Sequence, residues 1–110
     1  MTSAAPDPRL FVALADPTRM RLIDRLRQQP RQSITALGAD EAVTRQAVTK
    51  HLLVLAEAGL VRDVRSGRER LWELDPRPLH EVAVWIDALR AEWEARFDRL
   101  EAWLDRPEDP

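Results

Sequence analysis

Apolar residues recur every three or four positions along most of this chain, and every second position only between residues 61 and 74. The first spacing marks helices with one buried face and the second marks strands. In residues 8–15, Leu10, Phe11 and Leu14 keep helical spacing, which predicts a short first helix. Asp16-Pro17 then reads as a side-chain cap followed by a proline in the first turn, where its missing N–H costs nothing. The helix it opens is expected to run to about Gln29 and to end at Pro30. It would bury Met20, Ile23 and Leu26, with Leu22 alongside, and leave Arg19, Arg21, Arg25 and Arg27 outside. Ser33 can cap a third helix through Ile34 and Leu37 to Asp40 or Ala42. That segment is poorly patterned: Gly38 weakens it, and the charged Glu41 falls where a buried residue is expected.

Residues 43–60, VTRQAVTKHLLVLAEAGL, carry the clearest helical pattern. Thr44 can accept a hydrogen bond from one of the first free N–H groups. Val48, Leu52, Leu55 and Ala56 would face a core, and Gly59 suits the left-handed position that stops a helix. The outer face bears Arg45, Gln46, Thr49 and Lys50, side chains able to reach base edges or phosphates in a major groove. A helix, a tight turn and a second amphipathic helix make a helix-turn-helix.

The period-two stretch contains Val61 and Val64, a Ser66-Gly67 turn pair, and then Arg70, Trp72 and Leu74 alternating with Leu71 and Glu73. It predicts a two-stranded hairpin, a wing whose tip holds Arg65, Arg68 and Arg70 for phosphates or a minor groove. Residues 75–78 break the chain with two prolines. A single long helix is expected over residues 79–105, roughly 40 Å at 1.5 Å per residue. Its stripe is Leu79, Val82, Ile86, Leu89, Trp93, Phe97, Leu100 and Leu104, with Trp85 and Trp103 beside it. A small domain cannot cover a stripe of that length, so a second copy of the helix is its expected cover, in a two-fold homodimer.

The predicted fold is therefore mainly α with a small β-hairpin wing. Residues 8–75 form a winged helix-turn-helix for DNA binding, and residues 76–105 add a C-terminal dimerisation helix to the same compact domain. Residues 1–7 are expected to fray, and residues 106–110 to form a polar tail.

Composition changes this picture in one respect. The net charge of −2 looks wrong for a nucleic-acid binder, but its distribution does not. Residues 43–70 carry six basic against three acidic groups, and residues 71–110 carry five against eleven. The basic excess thus sits on the outward helix and the wing, and the acidic excess on the long helix. With no cysteine, thiolate metal sites and disulfides are excluded. There is no phosphate-binding glycine loop and no histidine with a motif partner, which argues against an enzyme. No apolar run suits a membrane span and no start suits a signal peptide, so a cytoplasmic protein is expected.

The run FVALADPTRMRLI at residues 11–23 closely resembles the opening of ArsR/SmtB-type winged-helix regulators. So do QAVTKHL at residues 46–52, LAEAGLV at residues 55–61, and the wing ending Leu74-Asp75-Pro76. The resemblance covers about residues 8–105. It implies a dimeric transcriptional regulator, usually a repressor, seated on double-stranded DNA at an inverted repeat, with an effector that lowers affinity. The matching recognition positions are Thr44, Arg45, Gln46, Thr49, Lys50 and His51. Many relatives have a small polar residue or Gln where Arg45 stands, which implies an individual sequence preference.

Metal-sensing relatives carry cysteines in the third helix or an Asp/His set on the last one. Here the third helix has neither Cys nor His, and the last helix has only His80. No metal and no cofactor are therefore expected, and the resemblance is to the metal-independent subgroup with a Trp-rich final helix. Blander readings stand beside these. His51 can be a packed or backbone-bonded histidine, His80 a surface residue, and the wing arginines an ordinary solvated hairpin. An unidentified small apolar effector could sit between paired helices at Trp85 or Trp93. Two rival functions remain: a MarR-like ligand-responsive regulator, and a winged helix that binds only protein.

Overall fold

The computed structural model describes residues 4–107. Its elements are α1 (Pro8–Leu14), α2 (Pro17–Gln28), β1 (Arg31–Gln32), α3 (Ile34–Gly38), α4 (Arg45–Glu57), β2 (Val61–Ser66), β3 (Glu69–Leu74) and α5 (Arg77–Leu104). Three helices open on the caps read from the sequence. Asp16 accepts from the Arg19 N–H at 3.0 Å, the Ser33 hydroxyl from Ala36 at 3.2 Å, and the Thr44 hydroxyl from Ala47 at 3.1 Å. Of the start expected to fray, residues 1–3 lie outside the described residues, whereas Pro6 is buried and Asp7 caps α1. In the polar tail, Arg106 and Pro107 are exposed, and the remainder lies outside the described residues.

The end of α4 is fixed by backbone geometry. Gly59 takes φ +78, a conformation that glycine enters without a Cβ penalty. From there the Gly59 N–H reaches the Ala56 carbonyl and the Leu60 N–H reaches that of Leu55, both at 2.9 Å. These two bonds satisfy carbonyls that the helix end would otherwise orphan. They also turn Leu60 into the core, where it is fully buried against the body.

The core combines Leu10 and Ala13 of α1, Leu22 and Leu26 of α2, and Leu37 of α3 with Val48, Leu52 and Leu55 of α4. Leu60, Val61 and Trp72 close it from the wing side. Met20 departs from the expected stripe: it is 59% exposed, on a groove lined by Leu14, Pro17 and Ile23. The buried line of α2 runs instead through Leu22 and Leu26, with Ile23 half-buried. A seven-residue α1 covers only one side of α2, so the Met20 side stays open.

The hairpin forms with Val61 opposite Leu74 and Ser66 opposite Glu69. The loop is therefore Gly67-Arg68, one residue later than the Ser66-Gly67 pair suggests, and Gly67 supplies its positive φ of 64. The sheet has a third strand that the pattern did not predict. β1 pairs antiparallel with β3, Arg31 opposite Glu73 and Gln32 opposite Trp72, in the order β1-β3-β2. Gln32 is buried, and its amide donates to the carbonyls of Arg25 at 2.7 Å and Gln29 at 2.9 Å, closing the end of α2.

α5 begins at Arg77, two residues earlier than expected, because Pro78 fits its first turn and Asp75 accepts from the Arg77 N–H at 3.1 Å. Its 28 residues include none that are buried. Leu79 and Val82, expected at a dimer seam, are half-buried and pack on one side against the body's own core. Beyond them the rod leaves the body. The Cα radius of gyration is 20.4 Å, against roughly 13 Å for a compact chain of this size, and the long axis is 80 Å. The compact unit is therefore the body, with α5 projecting from it.

Candidate nucleic-acid interface

The outer face of α4 is placed by its inner one. With Val48, Leu52 and Leu55 buried, helical geometry turns Arg45, Gln46 and Lys50 outward, and all three are exposed. Thr44 is exposed at the helix start, its hydroxyl taken by the cap. Thr49 is half-buried, and its hydroxyl donates back to the Arg45 carbonyl at 3.0 Å. That bond leaves its oxygen free to accept. His51 is also half-buried, with 22% of its side chain in solvent.

The wing brings Arg65 and Arg70 directly opposite each other across its strands, with Arg68 in the loop. Like charges so placed repel. Arg70 is drawn away by Asp63, 2.9 Å from its Nε, and lies over the Trp72 ring at 4.9 Å. Arg65 and Arg68 have no ion pair among the described residues.

That last point separates two kinds of cation. Elsewhere in the body the arginines meet carboxylates. Arg9 pairs with Asp7, Arg27 with Asp24, Arg31 and Arg62 with Glu73, and Arg77 with Asp75. Arg62 and then Arg31 hold the Glu73 carboxyl below its usual range, and Arg77 holds Asp75 down to about 2. Among the described residues of the body, the cations without a carboxylate are Arg45, Lys50, Arg65, Arg68 and Arg19. The first four lie on α4 and the wing tip.

Arg19 is the exception, and it departs from the expectation that it lies outside. It curls under α1, where its Nε donates to the Ala13 carbonyl at 2.6 Å and its Nη2 to that of Val12 at 3.1 Å. Its Nη1 stands 3.2 Å from His51 Nδ1. Asp16 lies 3.9 Å from the same ring nitrogen.

The turn that delivers α4 is anchored by a residue whose role the sequence left open. The Glu41 side chain is 2% exposed and is gripped by Arg21, with Arg25 at 3.6 Å. Arg21's hydrogen bonds, partly opposed by burial, keep this carboxyl below its ordinary range. The signal was present in the chain: Glu41 sits where a buried residue is expected, and Arg21 and Arg25 share one face of α2.

On α5, Ile86, Leu89, Trp93, Phe97 and Leu100 are between 38% and 57% exposed, in one continuous line. Trp85 packs on Phe11 of α1 with ring centroids 5.6 Å apart, and Trp93 meets Phe97 at 6.0 Å. His80 is exposed. Among the described residues, no group of three or more His, Asp or Glu side chains is gathered as a metal site would need.

Comparison with known proteins agrees with this geometry. Residues 14–64 match the family model described as a helix-turn-helix domain. The chain is 40% identical over 86 residues to the HTH-type transcriptional regulator Rv2034 of Mycobacterium tuberculosis, a match covering 78% of each chain. Among solved structures, it resembles an ArsR-like transcriptional regulator from Rhodococcus sp. RHA1 with a TM-score of 0.73 and 33% identity, over 86% of this chain and 88% of that one. It resembles the ArsR family transcriptional regulator RHA00566 with a TM-score of 0.73 and 27% identity, over 83% of this chain and 97% of the other.

Proposed function

The chain belongs to the ArsR-type family of winged helix-turn-helix transcriptional regulators, proteins that bind DNA and are not enzymes, and from that premise we propose that it is a homodimeric repressor seated on an inverted-repeat operator and controlled without a metal ion. The observation that carries this reading is the placement of the unpaired cations. Arg45 and Lys50 on α4 and Arg65 and Arg68 on the wing are held ready for a polyanion, while the body's other arginines are committed to internal partners.

In this reading α4 lies in the major groove. Arg45, Gln46, Thr49 and Lys50 meet base edges or the phosphates beside them, and the backbone at Thr44 approaches a phosphate. His51 adds a contact from the next turn. Arg65, Arg68 and Arg70 follow the backbone of the duplex and add affinity without sequence preference. Two copies join through Ile86, Leu89, Trp93, Phe97 and Leu100, with Leu79 and Val82 bracing each rod on its own body. Several large apolar side chains in a line, each worth roughly 1.5–3 kcal/mol when fully buried, are ample to hold such a pair.

A cytoplasmic setting accompanies this reading. No helix among the described residues is long and apolar enough to cross a membrane. A MarR-like arrangement, with a dimer domain built from both chain ends, is disfavoured by a first helix of only seven residues.

The test is selection of bound duplexes from random DNA with the purified chain, followed by sedimentation of the free and bound protein. A palindromic consensus occupied by two chains is expected. A monomer in solution together with an asymmetric consensus would overturn the proposal.

A further inference from the structure

Arginine has donors and no acceptor, and it stays charged in proteins. Where an Arg19 guanidinium nitrogen meets His51 Nδ1 at 3.2 Å, the hydrogen must therefore come from the arginine and the ring nitrogen must accept it. A neutral imidazole that accepts at Nδ1 carries its own hydrogen on Nε2. The opposite edge of the ring is thereby fixed as a donor.

We propose that Arg19 is a positioning residue for DNA binding: it fixes the tautomer and orientation of His51 so that the ring presents an Nε2–H donor to an acceptor oxygen or nitrogen of the duplex. This rests on the reading that α4 faces DNA. The geometry turns the Arg19 guanidinium toward α1 and the ring. All three of its guanidinium nitrogens are engaged, two on the carbonyls of Val12 and Ala13 that end α1 and the third on the ring. Its own N–H is tied to Asp16, so both ends of the side chain are held. The acceptors that DNA offers, phosphate oxygens and the purine N7 edge, suit such a donor. A second consequence follows from the same bonds. Phe11 packs on Trp85 of α5, and the carbonyls one and two residues after Phe11 hold Arg19. The ring facing DNA is thus joined through one arginine to the segment of α1 on which the long helix rests.

The experiment uses the full chain labelled with 15N. It has only two histidines, so comparison with His51→Gln assigns the ring of His51. Spectra of the free protein report which ring nitrogen bears hydrogen and whether the bare one accepts a bond. The expected result is a bare, hydrogen-bonded Nδ1 in the parent chain and the loss of that signature in Arg19→Met. On a duplex enriched by the parent chain, His51→Phe and Arg19→Met should each weaken binding about tenfold, as for a lost charge-assisted contact, and the double variant should be no weaker than either. His51→Gln, which keeps a donor at the same distance along the side chain, should restore most of the affinity.

Hydrogen on Nδ1, a ring signal unmoved by Arg19→Met, or His51→Phe binding like the parent each overturns the proposal. Should Arg19→Met not fold, the His51→Phe and His51→Gln pair still decides it, since equal losses from both would remove the donor role. If Gln46→Ala and Lys50→Ala also leave binding unchanged, the reading of α4 as the DNA-facing helix has failed, and this inference with it. If those two weaken binding while His51→Phe does not, the inference about Arg19 and His51 alone has failed.

Discussion

Arg21 grips Glu41 as a fork, with its Nε 3.1 Å from both carboxylate oxygens and its Nη2 2.8 Å from Oε1. The contact spans twenty residues and ties α2 to the turn that launches α4. Glu41→Gln keeps the shape and removes the charge. It should destabilise the chain by about 1–3 kcal/mol, since Arg21 and Arg25 lose their anionic partner and an amide N–H group replaces one accepting oxygen. Denaturant unfolding at neutral pH would measure this, and an unchanged midpoint would show the fork to be dispensable.

The same contact sets a dependence on acid. The Glu41 carboxyl is held below its ordinary 4.5 by Arg21, and Asp75 is lowered from 3.8 to about 2 by Arg77. Both are depressed in the folded state, so the unfolded chain takes up protons first as pH falls. Their contribution is complete above the unfolded values and drains away below them, for Asp75 between about 4 and 2. Thermal midpoints of the parent chain should therefore fall from pH 5 toward pH 2, and those of Glu41→Gln should fall less over the upper part of that range. Parallel curves would contradict the assignment to Glu41.

Gly59 makes a prediction about the backbone. Its φ of +78 is one that L side chains rarely adopt, and a Cβ there would meet Pro78 at an ordinary 3.7 Å. The cost of Gly59→Ala is thus conformational rather than steric, about 1 kcal/mol or somewhat more. Gly59→Asn should lose less, because asparagine tolerates this region better. Equal losses in a melting experiment would point to crowding instead.

Base reading and phosphate gripping should separate on the duplex. Gln46→Ala is expected to relax preference at one position by about 1–3 kcal/mol. Arg68→Ala should weaken all sequences alike and reduce the salt slope by about one. Titrations over mismatched sites at several salt concentrations distinguish the two, and a uniform loss from Gln46→Ala would count against base readout.

For the rod, Phe97→Glu places a charge in the middle of the exposed line. It should shift the protein toward monomer in sedimentation while the body keeps its helical signal. Unchanged mass would move the interface elsewhere.

Most of the fold was legible because its punctuation is local. Asp16, Ser33, Thr44 and Gly59 each announce a helix boundary through chemistry acting within a few residues. The outward face of α4 followed from its period alone. What escaped depends on distant partners. β1 is two residues, Arg31 and Gln32, too short to show a period, and it exists because β3 offers a free edge. Arg19 looks like a surface charge until α1 encloses it, and Glu41, at a position where burial is expected, shows its partner only when α2 brings Arg21 beside it. Met20 keeps helical spacing yet stays exposed, because spacing gives the direction of a side chain and not what stands opposite it. Leu79 and Val82 share a stripe with Phe97, and only the three-dimensional arrangement shows that the first two meet their own body.

One joint carries a mechanical consequence. Asp75 bonds through its N–H to the Leu60 carbonyl at 2.8 Å and through its carboxylate to Arg77, so the last strand of the wing passes into α5 without a slack hinge. An arm of 28 residues, about 42 Å at 1.5 Å each, turns a tilt of about 5° at its root into a swing of roughly 4 Å at its tip. Leverage of that kind runs both ways: a modest push on the far end of the arm is returned at the wing as torque.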